Sequence, residues 1–305
     1  MAARAVPVVS SLTDPMPDPG LAVVTVTRNS GRVLSGLLQT SSRHLSGAQI
    51  VVVDSDSSDD SVSIARAAGA DVVALKENVG FGRACNRGLS EVRQPITALL
   101  NPDVALLDGS LLALAREAMS ADRLLAPLVL SPDGSRQDTV HPRPGSAGDL
   151  LGSFLPQVGA FMAPWRSRSP RRVGWAVGCA IVARTETFRA LGPFDRQIFM
   201  YSEDLDLCLR AAQRGVETWF WPLARVMHHQ AHASAREFGG EPFELIARTR
   251  HDVVQRRLGR RVALVDDAGQ AVTFVTRIAA RRLLRRDASR QRRQLQALRL
   301  ARRAP

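Results

Sequence analysis

Four short apolar runs rich in β-branched residues constrain this chain more than any other feature: Leu21 to Thr27, Gln49 to Asp54, Ala70 to Leu75 and Ile96 to Leu100. A polar turn and a helix-patterned segment follow the runs, with Asp108 to Met119 the helix after the fourth. Strand and helix in alternation predict an α/β fold with a mostly parallel sheet and right-handed crossovers. Such sheets bind ligands at the carboxyl ends of their strands. Those ends carry Thr27-Arg28-Asn29-Ser30, Asp54-Ser55-Asp56-Ser57-Ser58-Asp59, the stretch from Asn78 to Asn86, and Asn101-Pro102-Asp103, so polar side chains converge on one edge.

A second feature lies at Phe199 to Arg210, where Glu203, Asp204 and Asp206 fall within four positions. Carboxylates so close raise one another's pKa unless a cation, a metal or hydrogen-bond donors offset the repulsion. Ser202 can cap a helix whose first turn favours negative charge, so a helix start and a site are both open readings. Spacing alone does not rank Glu203 against Asp204. Asp206 is expected to pair with Arg210, one helical turn later, as structural support.

Two nucleotide-binding motifs are excluded or weak. Gly80-Phe81-Gly82 is followed by Cys85 where G-x-G-x-x-G needs its third glycine, and it follows the third strand rather than the first. A phosphate-binding lysine loop is excluded, because Lys76 is the only lysine and no G-x-x-x-x-G-K-[ST] run exists. Phosphate charge must be met by arginine, backbone N–H groups or a metal.

From Val23 to about Ser234 the chain resembles the family 2 glycosyltransferases, and within them the rhamnosyltransferase-like group of actinobacterial envelope synthesis. The T-x-N-S element is Thr27-Arg28-Asn29-Ser30, with arginine where the family usually has tyrosine, and D-N-x-S-x-D is Asp54 to Asp59 with Ser55 for asparagine. N-x-G-F-G-x-A-x-N is intact from Asn78 to Asn86. Asn101-Pro102-Asp103 stands for D-x-D, and G-x-F-D…F-M-Y-x-E-D-x-D-x-x-x-R is intact from Gly192 to Arg210.

The resemblance implies an inverting hexosyltransferase of the GT-A fold, a mostly parallel nucleotide-binding sheet flanked by helices. The donor implied is dTDP-L-rhamnose, with UDP-linked hexoses, galactofuranose and GDP-mannose as open alternatives, and the acceptor a lipid-linked sugar or growing glycan. Donor binding falls to Thr27, Asn29, Asp54, Asn78, Gly80, Gly82, Arg83, Asn86 and Asn101. A surface role for Arg83, and simple turns at Asp54 and Asn101-Pro102, are the plain alternatives. A divalent metal, Mg2+ or Mn2+, would stabilise the diphosphate leaving group, with Asp103 as its ligand. Inversion needs one base and no covalent nucleophile. Asp204 takes that role by family position, with Glu203 orienting the acceptor or sharing the proton.

Met227 to Ser234 holds His228, His229 and His232. Neighbouring side chains of an extended chain point to opposite sides, so at most one of His228 and His229 reaches an Asp103 metal. The family's spacing to the serine selects His229. Zinc is the rival, but Cys85, Cys179 and Cys208 have no C-x-x-C spacing.

Arg136 to Arg172 reads as a mobile acceptor-facing loop with apolar islands from Leu150 to Trp165, too short to span a bilayer. Val173 to Val182 reads as one buried strand, with Trp175 either core or stacked on an acceptor sugar. Asp206 belongs to the same acceptor side.

The formal net charge is +12. Residues 248–305 hold 17 Arg against 4 Asp, so the excess is a property of the C-terminal region. Its amphipathic pattern from Val272 to Arg303 fits an anionic membrane surface, where each basic residue adds about 1 kcal/mol. Nucleic acid is the rival partner, and a nucleic-acid-binding protein the rival function. The organisation expected is a flexible terminus over 1–20, a glycosyltransferase domain over 21–240 and a basic helical appendage over 241–305. Met1 to Gly20 has no apolar core and the cysteines no pattern, so the expected location is cytoplasmic, peripheral to the inner face of the membrane.

Overall fold

A computed structural model describes residues 20–154, 163–192, 194–229 and 239–302. The sequence readings of a flexible terminus before Gly20, of Leu155, Phe161 and Met162, and of His232 lie outside the described residues.

The N-terminal half alternates as expected: β1 (Leu21–Thr27), α1 (Gly31–His44), β2 (Gln49–Ser55), α2 (Ser61–Ala67), β3 (Asp71–Leu75), α3 (Phe81–Glu91) and β4 (Ile96–Leu100). β5 (Val104–Leu106), α4 (Ser110–Ser120) and β6 (Arg123–Leu130) follow. Strands β2, β1 and β4 are almost wholly buried, as continuous apolar runs covered on both faces must be. Helix α3 lies close on the sheet because Gly88 has no side chain; a Cβ there would sit 2.4 Å from Val24 Cγ1.

After the ribbon strand β7 (Val140–His141) come α5 (Ala147–Phe154), β8 (Arg171–Val173), β9 (Trp175–Ala176), β10 (Ala180–Arg184) and α6 (Thr185–Leu191). Then come α7 (Glu203–Gln213), β11 (Glu217–His228) and three helices, α8 (Phe243–Leu258), α9 (Arg260–Leu283) and α10 (Ser289–Ala301). The main sheet runs β3-β2-β1-β4-β10-β6-β11-β5, with β8 also on β11. Pairs β3-β2, β2-β1, β1-β4 and β6-β11 are parallel; β10 inserts antiparallel between β4 and β6.

Two expectations change. The run Val173 to Val182 is three short strands, broken at Gly174, whose absent Cβ would lie 2.0 Å from Arg143 N, and around Gly178. The stretch expected to be a mobile loop contains the helix α5. The C-terminal helices are present as expected, and they pack on the body: α8 lies on α7 with Val253 and Val254 fully buried, and Arg257 reaches Asp206 of α7 at 2.7 Å.

β11 carries the irregularity that matters for the site. Its pairing with β6 jumps from Trp221↔Pro127 to Arg225↔Leu128, so β11 takes four steps where β6 takes one. Trp219 and Trp221 pack on the same core as Ala224 and Val226, so the core-facing side passes from odd to even positions across the kink. The last residues of β11 pair antiparallel with β5, His228 opposite Val104.

Candidate active site

The carboxyl ends of β1 and β2 are tied together. Asn29, held at φ +46°, accepts from Ser58 N at 2.7 Å and donates its own N–H to Ser57 Oγ at 2.9 Å. Asp54 accepts from Ser57 N through Oδ2 at 3.0 Å, while its Oδ1 is buried with no partner among the described residues. A carboxyl oxygen left so is costly to bury and suits a ligand N–H or O–H. Thr27 is buried against Ser61. Beside Asn29 opens a cavity of about 620 Å3, lined by Arg32, Asp59, Ala105 and His229 among others; it adjoins this end of the site and not Glu203 or Asp204.

Asn78 braces the end of β2, accepting from Ser55 Oγ and Gly80 N. Gly80 and Gly82 are glycines for a reason internal to the protein. A Cβ on Gly80 would lie 2.1 Å from Phe199 O, and one on Gly82 would lie 2.9 Å from Phe194 Cβ. Asn86 is bonded both ways to the Phe194 backbone, and Arg83 donates to Arg196 O rather than reaching into the edge. The whole N-x-G-F-G-x-A-x-N element therefore clamps the segment that leads to Glu203.

That segment enters α7 through two successive left-handed residues, Tyr201 at φ +69° and Ser202 at φ +65°. Strain of this kind, about 1–3 kcal/mol per residue, persists where surroundings enforce it. Ser202 occupies the N-cap position without a side-chain cap bond. Asp204 instead has its own carboxylate fixed: Oδ2 accepts from Gly178 N at 2.8 Å and Oδ1 from Leu205 N at 2.7 Å. Burial raises its pKa against those bonds. Glu203 is pushed up to about 8 by burial and by Asp204 beside it, and its Oε2 has no partner among the described residues. Asp206 goes elsewhere. It is fully buried between Arg210 at 2.8 Å and Arg257 at 2.7 Å, which bears out the Arg210 pairing and removes Asp206 from any acceptor-facing role.

Asp103 follows β4 and Pro102. His228 Nε2 lies 3.1 Å from its Oδ1, and Asn101 Nδ2 lies 3.4 Å from the same nitrogen. Gln137 grips the ring from behind, Oε1 at Nδ1 (3.0 Å) and Nε2 donating to His228 O (2.8 Å). His229 was the histidine expected here; it gives only its backbone N–H to Asp103 O, because the kink in β11 hands the inner side to even positions. With Nδ1 turned to Gln137, Nε2 is turned to the Asp103 carboxylate, so the two side chains converge on one point. One carboxylate, one imidazole and an amide suit a divalent ion completed by phosphate oxygens and water. No group of three or more acidic, Cys or His side chains could hold a metal among the described residues.

The Asp103 and Asp204 clusters meet at residues 178–179. Asn101 N donates to Cys179 O at 2.9 Å, one residue from the Gly178 N–H that holds Asp204. The Cys179 thiol is pushed up to about 12 by burial and by both carboxylates, Asp204 and Asp103. Of the two readings of Trp175, its packing agrees with the core one: its ring stacks on His141 at 4.3 Å and Arg250 lies 5.5 Å from its centroid. Gly178, Gln137 and Arg257 escaped the sequence reading. A glycine inside an apolar run was a signal for Gly178; Gln137 and Arg257 carried none.

Comparison with known proteins follows this geometry. The family described as "Glycosyl transferase family 2" matches residues 22–174. The N-acetylglucosaminyl-diphospho-decaprenol L-rhamnosyltransferase of Mycobacterium tuberculosis is 30% identical over 243 residues, 71% of this chain and 78% of that protein. Rhamnosyltransferase WbbL of Escherichia coli is 28% identical over 174 residues, 54% of this chain and 66% of that one. Among solved structures, the mannosyltransferase PcManGT of Pyrobaculum calidifontis, in complex with GDP-Man and Mn2+, superposes with a TM-score of 0.59 at 14% identity, over 88% of this chain and 77% of that one.

Proposed function

Since the chain belongs to glycosyl transferase family 2 and has the GT-A fold, we propose that it is an inverting, metal-dependent rhamnosyltransferase. It moves L-rhamnose from dTDP-L-rhamnose to a polyprenyl-diphosphate-linked sugar or growing glycan at the inner face of the cell membrane. The rhamnosyltransferase names of two relatives, and the decaprenol-linked substrate in one of them, support donor and acceptor. The observation that carries the mechanism is the join at residues 178–179, which brings a metal-suited pair and a base-suited pair to one sheet edge.

Asp54 Oδ1 and Asn29 receive the base and ribose, with Asn101 beside the diphosphate. Asp103 and His228 would hold a divalent ion, which supplies positive charge to the departing diphosphate. Asp204 is the base. Two backbone N–H bonds oppose the rise that burial gives the Asp204 pKa, whereas Glu203, pushed up to about 8 by burial and by Asp204, keeps its proton near neutrality. Each Asp204 oxygen retains a lone pair for the acceptor hydroxyl proton. Glu203, protonated, donates to the acceptor and orients it.

The test is nucleotide release from a panel of dTDP-, UDP- and GDP-sugars with membrane lipid extract, comparing wild type with Asp103→Ala. Release from dTDP-L-rhamnose alone, lost in the variant and on chelation, is the expected result. Release from a different donor corrects the sugar; silence across the panel defeats the reading.

A further inference from the structure

Helix α9 has 24 residues and is about 36 Å long at about 1.5 Å per residue. One side of it is buried in the body: Ala263, Asp266, Asp267 and Gly269 face inward, and a Cβ on Gly269 would meet Ser153 Oγ at 2.9 Å. Among the described residues the other side is mostly uncovered. At about 100° per residue, Leu264, Ala268, Val272, Val275, Ala279 and Leu283 fall within about a third of the circumference. Leu264 is 47% exposed, Val275 51% and Leu283 86%. From Ala279 to Asp287 every residue is exposed, so the end of α9 stands clear of the protein.

The tip has a fixed shape. Arg286 N donates to Arg281 O at 2.7 Å and Arg285 N to Arg282 O at 3.0 Å, with Arg285 left-handed at φ +52°. This closed turn presents Leu283 and Leu284 between Arg281, Arg282, Arg285 and Arg286, while Arg260 and Arg261 flank the other end of the stripe. The helix's own carboxylates face away: Asp266 binds Arg250, and Asp267 binds His251 and Arg302.

We propose that the outward side of α9 and the α9–α10 turn lie on an anionic lipid surface, the leucines entering the headgroup boundary and the arginines meeting lipid phosphates. An apolar stripe ringed by arginine is the signature of a helix that rests in a membrane interface. No helix among the described residues is long and apolar enough to cross a membrane, so contact here is superficial. Charge argues against the other occupants. A second copy packed on the same face would bring arginine against arginine. Nucleic acid leaves an aliphatic stripe unsatisfied and prefers aromatic platforms, of which this side has none. This inference rests on the proposed lipid-linked acceptor and names the surface that meets its membrane.

The experiment is sedimentation of the full chain with vesicles of phosphatidylcholine alone, and with equal parts phosphatidylglycerol. Wild type is expected on the anionic vesicles only. Replacing Arg281, Arg282, Arg285 and Arg286 together by Gln should weaken partition about a hundredfold or more, at about fivefold per arginine. Leu283→Ser with Leu284→Ser should weaken it about tenfold. Both variants should keep wild-type circular dichroism and nucleotide release toward detergent-dispersed acceptor. Equal binding to neutral vesicles, partition unmoved by either variant, or displacement by duplex DNA overturns the proposal. Donor turnover without vesicle binding sinks this inference alone. Vesicle binding without donor turnover sustains it and removes the proposed reaction instead.

Discussion

Surroundings give the three carboxylates at the start of α7 three different states. Asp206 is ion-paired, Asp204 is held by the backbone N–H groups of Gly178 and Leu205, and Glu203 is buried with its Oε2 unpartnered among the described residues. Its pKa of about 8 against 4.5 in the free residue means that between those values the folded chain keeps a proton the unfolded chain has released. Stability contributed by that proton is full below about pH 4.5 and is lost as pH rises toward about pH 8. Glu203→Gln is thus expected to be a few kcal/mol more stable than wild type at about pH 9 and nearly equal to it at about pH 4, read from urea midpoints; equal midpoints at both would show that folding does not raise the Glu203 pKa. Asp204→Asn should abolish transfer while donor affinity stays near wild type by calorimetry, and retained turnover would remove Asp204 as base. At the other cluster, His228→Ala should weaken Mn2+ binding about 10- to 100-fold while His229→Ala barely changes it; the reverse ranking would return the role to His229.

At the scale of elements, the loop opening α3 and the segment before α7 form one clamp, and Gly80 is its tightest point. Its φ of +85° and the 2.1 Å approach to Phe199 O leave no room for a methyl group. Gly80→Ala should lower stability by about 2 kcal/mol or more and reduce turnover with it, because the displaced segment leads into Glu203 and Asp204 at the start of α7. Melting and turnover measured together check this, and a stable but inactive variant would assign Gly80 to the donor instead. The first four strands were legible because both faces of a parallel sheet are covered, which writes an unbroken apolar run into each. Val173 to Val182 misled for the same reason: its apolar run is real, but Gly174 and Gly178 are places where backbone passes close to other atoms, which hydrophobicity does not record. The motif residues at the sheet edge were visible as types. Their division between structural and ligand-facing duty, as with Asn86 locked to Phe194, depends on partners more than a hundred residues away in the chain.

For the whole molecule, the C-terminal helices are bound into the body by charge as well as by packing. Arg257 crosses from α8 to the same buried carboxylate that Arg210 holds, and Arg256 pairs with Asp195 in the segment before α7. Asp206→Ala would leave two guanidinium groups without their shared partner and should cost about 3–5 kcal/mol, seen as a fall in the urea midpoint; a loss under about 1 kcal/mol would mean that water replaces the carboxylate there. This tie was beyond sequence reading, since Asp206 and Arg257 are joined by tertiary contact alone, while Arg210 was within reach one helical turn away. The kink in β11 has a consequence of another kind. It acts as a parity switch, reversing which alternate residues face inward beyond it, and so the ligand at Asp103 is chosen by a count rather than by a residue type. Relatives whose kink differs by one residue should carry their inward histidine at the same parity as the position of Trp219, where in this chain the two parities are opposite, and an alignment that matches histidines column by column across that kink would pair residues pointing in opposite directions.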